Sequence, residues 1–321
     1  MIVPTSLCSS QIARLAADRL NSKGIGRAVG ISRFAALPHT EGCGFAGENV
    51  YQLLQRSYGS YVLHPSVATA LFLEHGCEKI PNDIVRRHLA DRGVSPERFG
   101  WASVQLDGGI ERVLEKVEGW FSSRIATLPR AVRTPAGLEA LSLGILTDRP
   151  VAATTAEALG GLAQMIVSSG GSVLLAASDP LLQAAPFLAR TLGSAAPSPT
   201  LAYGQIMAKA GFHIIGTESD HWVENLTGLG GCGAQVMLGV VHGQARQGHP
   251  FIPLAQVAEA DSRDGIAPDD IDGSLCGNAE QDMATLTELV LAIAGGSRTP
   301  AATAHGMVDF QYTRGLLGVS T

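Results

Sequence analysis

Short apolar runs alternate with longer amphipathic stretches along most of the chain, and few architectures accept that order. In the first part of the sequence "MIVPTS", "RAVGISRF", "VATALFLEH" and "WASVQL" read as strands. Each is followed by helical spacing: "SSQIARLAADRLNSKG", with Ile12, Leu15, Ala16 and Leu20 on one face, then "GENVYQLLQRSYG", "PNDIVRRHLADRG" and "DGGIERVLEKVEGWF". Ser9 or Ser10 supplies an N-cap for the first of these helices and Gly24 its stop, while Pro81 stands near the first turn of the third. A strand that hands over to a helix and then to another strand builds a parallel sheet with helices on its faces. The expected fold class is α/β, with two Rossmann-like lobes whose mostly parallel sheets are flanked by helices.

Composition turns to Arg, Pro, Thr and Gly over "SRIATLPRAVRTPAG", which places a boundary near residue 130. Residues 1–130 are the expected first lobe, and residues 131–321 the second, with a C-terminal helix and tail. In the second, "LEALSLGIL", "SVLLAAS" and "AQVMLGVVHG" read as strands. "TTAEALGGLAQMIVSSGG", "DPLLQAAPFLARTLG", "LAYGQIMAKAG" and "AEQDMATLTELVLAIAGG" read as helices, and "SAAPSPT" as a loop.

Charge narrows the partners. A net charge of -6, with Lys and Arg scattered rather than clustered, gives no basic field for phosphate backbones, so no nucleic acid is expected. No apolar run approaches the roughly 20 residues of a membrane helix, and "MIVPTSLC" carries no basic leader region. The expectation is a cytoplasmic protein without membrane contact. Cys8, Cys43, Cys77, Cys232 and Cys276 are odd in number and widely spaced, which favours free thiols or metal ligands over a disulfide framework.

In a parallel sheet all carboxyl strand ends lie on one rim, and the loops leaving that rim build the site. Cys8 follows the first expected strand, Cys43 lies in the loop after the second, and Cys77 closes the third. Three converging thiols are ligands of the kind that hold iron, an iron-sulfur cluster or zinc. Separate burial as small apolar residues is the alternative. His39, Glu41, Glu78, Gln105 and Asp107 fall on or beside the same strand ends. His39 is a candidate general base, or it bonds a loop carbonyl. Gly108 and Gly109 open a helix and could present amides to an anion such as a substrate carboxylate, or could simply form a turn. His64, before Pro65, suits a capping role. The stretch "HIIGTESDHWVENLTGLGGCGAQ" gathers His213, Glu218, Asp220, His221 and Glu224. It reads either as a loop closing over the first lobe's rim or as a solvated connection.

"PTSLCSSQIA", "HTEGCG", "HPSVATALFLEHGCE", "SVQLDGG" and "AGFHIIGTESDHWVENLTGLGGCGAQVML" occur in the order seen in the altronate and galactarate dehydratases. The chain resembles the large catalytic region of that family, from Ile2 to the tail "DFQYTRGLLGVS". Members remove water from sugar acids to give 2-keto-3-deoxy acids and are associated with iron or another divalent metal; a related branch eliminates sulfite from sulfolactate.

The resemblance therefore implies a hydro-lyase acting on a small hydroxy acid, with Cys8, Cys43 and Cys77 holding Fe2+ or an iron-sulfur cluster, or otherwise another divalent metal. On that basis His39 serves as base, oriented by Glu41 or Glu78. Gln105 and the amides near Gly108 and Gly109 bind the substrate carboxylate, and His242 and Arg246 from the second lobe reach its distal end. Cys276, in "GSLCGN", is similar to a further family cysteine. A separate small subunit equivalent to the family's N-terminal domain is an expected partner, and a homo-oligomer is expected. The sequence departs from the family where a Cys-Gly-Gly-Ser-Asp stretch gives way to "GILTDRPVAATT", leaving Thr147 and Asp148 as polar substitutes. It departs again where Thr-Thr-Gly-Arg-Gly gives way to "VVHGQARQG". The alternatives are a sulfo-lyase-type elimination from a substituted hydroxy acid and a non-catalytic sugar-acid-binding relative.

Overall fold

A computed structural model describes residues 1–44, 48–217, 219–262 and 265–312. Glu218 and the end of the tail lie outside the described residues. The chain divides into two compact units, with the break between Pro135 and Ala136.

The first unit carries a three-stranded parallel sheet in the order β1 (Ile2–Pro4), β2 (Leu71–Glu74), β3 (Gly100–Ser103). Its helices are α1 (Leu7–Ser22), α2 (Glu48–Val62), α3 (Asn82–Asp91) and α4 (Ile110–Ile125). Ile2, Leu71, Leu73 and Ala102 of the strands pack with Ile12, Ala16 and Leu20 of α1 and with Val113, Val117 and Phe121 of α4. The apolar stripes of two helices thus cover one face of the sheet.

The second unit carries six parallel strands. They are β4 (Ser142–Thr147), β5 (Ser172–Ala176), β6 (Gly211–Ile215), β7 (Val236–Val241), β8 (Leu254–Ala258) and β9 (Gly273–Ser274). Their order across the sheet is β6-β5-β4-β7-β8-β9. Counted from β4 that is 3-2-1-4-5-6, the doubly wound order in which the chain reverses direction across the sheet between its first and fourth strands. Among the described residues five helices accompany the strands: α5 (Ala153–Ser168), α6 (Ala185–Thr191), α7 (Trp222–Cys232), α8 (Ala279–Ala294) and the short α9 (Ala301–Ala304). Among the described residues no helix is long and apolar enough to cross a membrane.

Several sequence expectations are corrected. "RAVGISRF" is not a strand: Gly26 and Gly30 both adopt left-handed φ (81° and 90°) and bracket a single 3-10 turn at Arg27–Val29. The segment after it meets the sheet through one bridge, Ala36 to Ile2. "DPLLQAAPFLARTLG" splits into a 3-10 turn at Pro180–Gln183 and the short α6. "LAYGQIMAKAG" is not helical, and only Leu201 pairs, with Ile215. The polar stretch from His213 is not a single loop: it contains the end of β6 and the buried α7, joined by a short connection in which Asp220 and His221 are exposed.

Candidate functional site

The three strands of the first unit are parallel, so the segments leaving β1, β2 and β3 start from one rim. Helix α1 begins at Leu7 with Ser6 as N-cap, so Ser9 and Ser10 lie inside it and Cys8 falls in its first turn, exposed. Ser10 Oγ is spent on the loop that follows: it accepts the His39 N–H at 3.1 Å and lies 3.1 Å from the His39 carbonyl. Two more bonds sew that loop down. Leu7 N–H donates to the Glu41 carbonyl (2.6 Å), and Lys79 N–H donates to the Cys43 carbonyl (3.0 Å). Cys43, half-buried, is thereby tied both to the start of α1 and to the turn after β2.

That turn is wound around one carboxylate. Glu78 Oε1 accepts from His75 N–H (2.6 Å), Ser6 Oγ–H (2.7 Å) and Thr5 Oγ1–H (3.2 Å). Its Oε2 accepts from Gly76 N–H (2.8 Å) and Cys77 N–H (3.1 Å). Burial alone would raise the pKa of Glu78, but the bonds from the His75 amide, the Ser6 hydroxyl and the Gly76 amide outweigh it and hold the carboxyl below its ordinary range. Gly76 has φ +118°, and a Cβ there would stand 2.9 Å from Gln105 Cβ and 3.2 Å from Ser103 Oγ. Only glycine fits the turn that presents Cys77.

The three thiols interact. The proximity of Cys43 bears on both Cys8 and Cys77. Partial desolvation, then the proximity of Cys43, then the charge of Glu78 push the Cys8 and Cys77 thiols above their ordinary pKa. His75 Nδ1 lies 3.6 Å from Cys77 Sγ. Among the described residues no three His, Cys, Asp or Glu side chains are drawn together tightly enough to hold an ion as they stand. The donor chemistry nevertheless suits a soft or borderline cation, because the repulsion that disfavours neighbouring thiolates is what a cation reverses.

Other expected site residues have different work. His39 is 2 % exposed; its Nδ1 accepts the Glu41 N–H (3.2 Å), which leaves Nε2 to donate to the Pro4 carbonyl (3.1 Å). To take up a proton at Nδ1 the ring must release that amide, so the expectation of His39 as base gives way to a loop-holding role. Glu41 is buried; burial, then Glu78 and Glu41, raise the pKa of the buried Tyr58. His64 Nδ1 accepts the Ser66 N–H at 3.1 Å, as a cap would. Gln105 is exposed beside Gly76, and its N–H donates to the His75 carbonyl (2.9 Å). The Gly108 and Gly109 amides turn back to the carbonyls of Gln105 (3.4 Å) and Val104 (2.8 Å). They close the turn before α4, which corrects their expected role toward a substrate carboxylate. Asp107 accepts the Ser103 N–H (2.8 Å) and pairs with Lys116 (2.7 Å), so it too serves the turn.

In the second unit His242 and Arg246 belong to a charged network at the ends of β4, β7 and β8. His242 Nδ1 lies 2.6 Å from Asp148 Oδ1, and its Nε2 lies 2.9 Å from Glu259 Oε2. Arg246 donates from Nε and Nη2 to Asp148 Oδ2 (3.2 and 3.0 Å). Glu259 Oε1 accepts the Ala152 N–H (2.8 Å) at the start of α5. Both ring nitrogens of His242 and two of the Arg246 donors are thus engaged inside the unit, while Arg246 keeps further N–H groups on a partly exposed side chain. Thr147 likewise bonds Asp179, with its hydroxyl to Oδ1 (2.6 Å) and its N–H to Oδ2 (2.9 Å). Burial outweighs these bonds and pushes Asp179 up to about 6. Cys276 is exposed, 3.3 Å from Gln281 Oε1.

Sequence reasoning passed over His75, Asp179 and Glu259. Each follows a strand end, and Glu259 was hidden because β8 was not recognised as a strand.

No curated protein matches the chain. Residues 1–125, which span the sheet and all three thiols of the first unit, match the family model described as D-galactarate dehydratase/altronate hydrolase, second domain.

Proposed function

We propose that this chain is a carbon–oxygen lyase that removes water from a sugar acid or a related small hydroxy acid at the mouth of its first sheet. One observation carries the reading: Cys8, Cys43 and Cys77 stand on three segments leaving the rim of one parallel sheet, tied together by the Leu7 N–H to Glu41 carbonyl and Lys79 N–H to Cys43 carbonyl bonds, in a region that matches a dehydratase family model. Iron or another divalent cation, when bound to those thiolates, supplies a Lewis acid that polarises the substrate carboxylate and the departing hydroxyl. The chain's own residues hold the ligands in place: Glu78 fixes the Cys77 turn through five donors, and His39 pins the loop that carries Cys43. Gln105, exposed beside that turn, offers an amide to a substrate hydroxyl or carboxylate.

The test is anaerobic purification with metal and acid-labile sulfide analysis, then incubation with D-galactarate and altronate read for a 2-keto-3-deoxy acid. Bound metal and product formation are expected, and Cys43→Ser should lose both. Full metal content and full turnover in Cys43→Ser contradict the ligand assignment. A metal-free wild type that turns over neither acid contradicts the lyase reading. A second reading, a sugar-acid-binding relative without chemistry, draws support from the mutual pairing of Asp148, His242, Arg246 and Glu259. It predicts binding of the same acids with no product.

A further inference from the structure

We propose that Arg112 recognises the carboxylate of the substrate at the mouth of the first sheet. The inference rests on the reading of the first unit as a sugar-acid lyase and names the charged partner that the acid group requires.

Helix α4 begins at Ile110 behind its N-cap Gly109, so Arg112 stands in its first turn, on the rim where β3 ends. Its exposed side chain lies back across Gly108, where a Cβ would stand 2.9 Å from Arg112 Cδ and 3.5 Å from Nη1. The left-handed Gly108 (φ +89°) thus gives the arginine stem its bed. At Gly109 a Cβ would meet nothing within 4 Å, so the space at the next residue is open. The turn under Arg112 is joined to the Cys77 turn, because Gly108 N–H donates to the Gln105 carbonyl (3.4 Å) and Gln105 N–H donates to the His75 carbonyl (2.9 Å).

Charge gives the residue its role. Among the described residues Arg112 has no ion pair, since Asp107 pairs with Lys116 (2.7 Å) and Glu111 with Arg19 (3.4 Å). A cation in the first turn of a helix faces the positive end of the macrodipole, which opposes the helix instead of supporting it. That placement serves an incoming anion. An acid approaching this rim also meets Glu78, which is held ionised and bonded to the Cys77 N–H. A guanidinium offsets that repulsion and offers two parallel N–H donors to one carboxylate.

The experiment titrates the anaerobically purified full-length chain by calorimetry with D-galactarate and with galactitol, the hexitol that keeps the hydroxyls and has no carboxylate. The wild type should prefer galactarate, and salt should weaken that preference. Arg112→Gln should weaken galactarate binding by about tenfold, the low end for hydrogen bonds to charged groups because the side chain stays partly in water. Galactitol binding should not change, KM should rise more than kcat falls, and the melting temperature should hold or rise, whereas a merely structural role lowers it. Arg112→Lys should recover part of the affinity, having the charge without the fork. A wild type that binds both ligands equally, or an Arg112→Gln protein with wild-type galactarate affinity, overturns the assignment and leaves the lyase reading standing. So does a full loss in Lys79→Gln in place of Arg112→Gln, Lys79 being the exposed cation that follows Glu78. A wild type that binds neither ligand and forms no product overturns both.

Discussion

Glutamine at position 78 would keep the size of the side chain and remove its charge, which isolates the carboxylate's part in building the mouth. One amide oxygen can still accept on the side of Ser6, Thr5 and the His75 N–H. On the other side an NH2 group would face the Gly76 and Cys77 amides, and two charge-assisted bonds would be lost. Such bonds contribute about 1.5–3 kcal/mol each. Gly76 and Cys77 are exposed enough for water to replace part of the loss, so the lower end applies and Glu78→Gln should destabilise the first unit by about 3 kcal/mol. Urea unfolding of the full chain, resolved by hydrogen exchange of peptides from each unit, measures this. The sign with pH follows from the depressed pKa. The wild-type advantage should be full above the ordinary carboxylate range and should shrink as pH falls below about 4 toward the folded-state pKa. A change below about 0.5 kcal/mol at neutral pH, or an advantage that grows on acidification, refutes the reasoning.

Gly76→Ala should cost the first unit about 1–3 kcal/mol in the same assay, since φ +118° and the approach of Gln105 both oppose a Cβ; an unchanged midpoint contradicts this. Asp179 is buried with its pKa pushed up to about 6 from 3.8, so its contribution is present below the lower value and lost as pH rises through the upper. The second unit should lose roughly 3 kcal/mol between pH 4 and 7 on this account, and Asp179→Asn should flatten that slope; equal slopes sink the assignment. His242→Ala should destabilise the second unit by roughly 1–3 kcal/mol by removing the ring hydrogen bonds to Asp148 and Glu259. Calorimetry showing no shift in its transition would count against the network.

The strand-helix alternation carried the fold because β1, β2, β4, β5 and β7 are short apolar runs with no competing pattern. It misled where apolar residues served something other than a strand or helix face. In "RAVGISRF" two glycines with positive φ turn the chain before a ladder can form. Tyr203, within an expected helix, instead sends its hydroxyl to the Glu224 carbonyl (2.8 Å), and its ring lies against Gly228. Helix α7 went unseen because it is buried from Val223 to Cys232 and so has no polar face to set a period. Its Gly228 reads as a breaker yet is required, since a Cβ would come within 2.7 Å of the Tyr203 ring. In the site, spacing brought out the three cysteines. It could not tell that His39 faces inward onto backbone groups or that His75 lies beside Cys77, because both facts depend on local turn geometry.

The strand order of the second sheet is the one on which dinucleotides are carried elsewhere, their diphosphate resting at the start of the helix after the first strand. Here the connection from Asp148 to Ala152 contains no glycine, and the carboxylate of Glu259 already sits on the Ala152 amide. The unit supplies its own resident counter-anion, so a diphosphate arriving at that helix would meet like charge in place of bare amides.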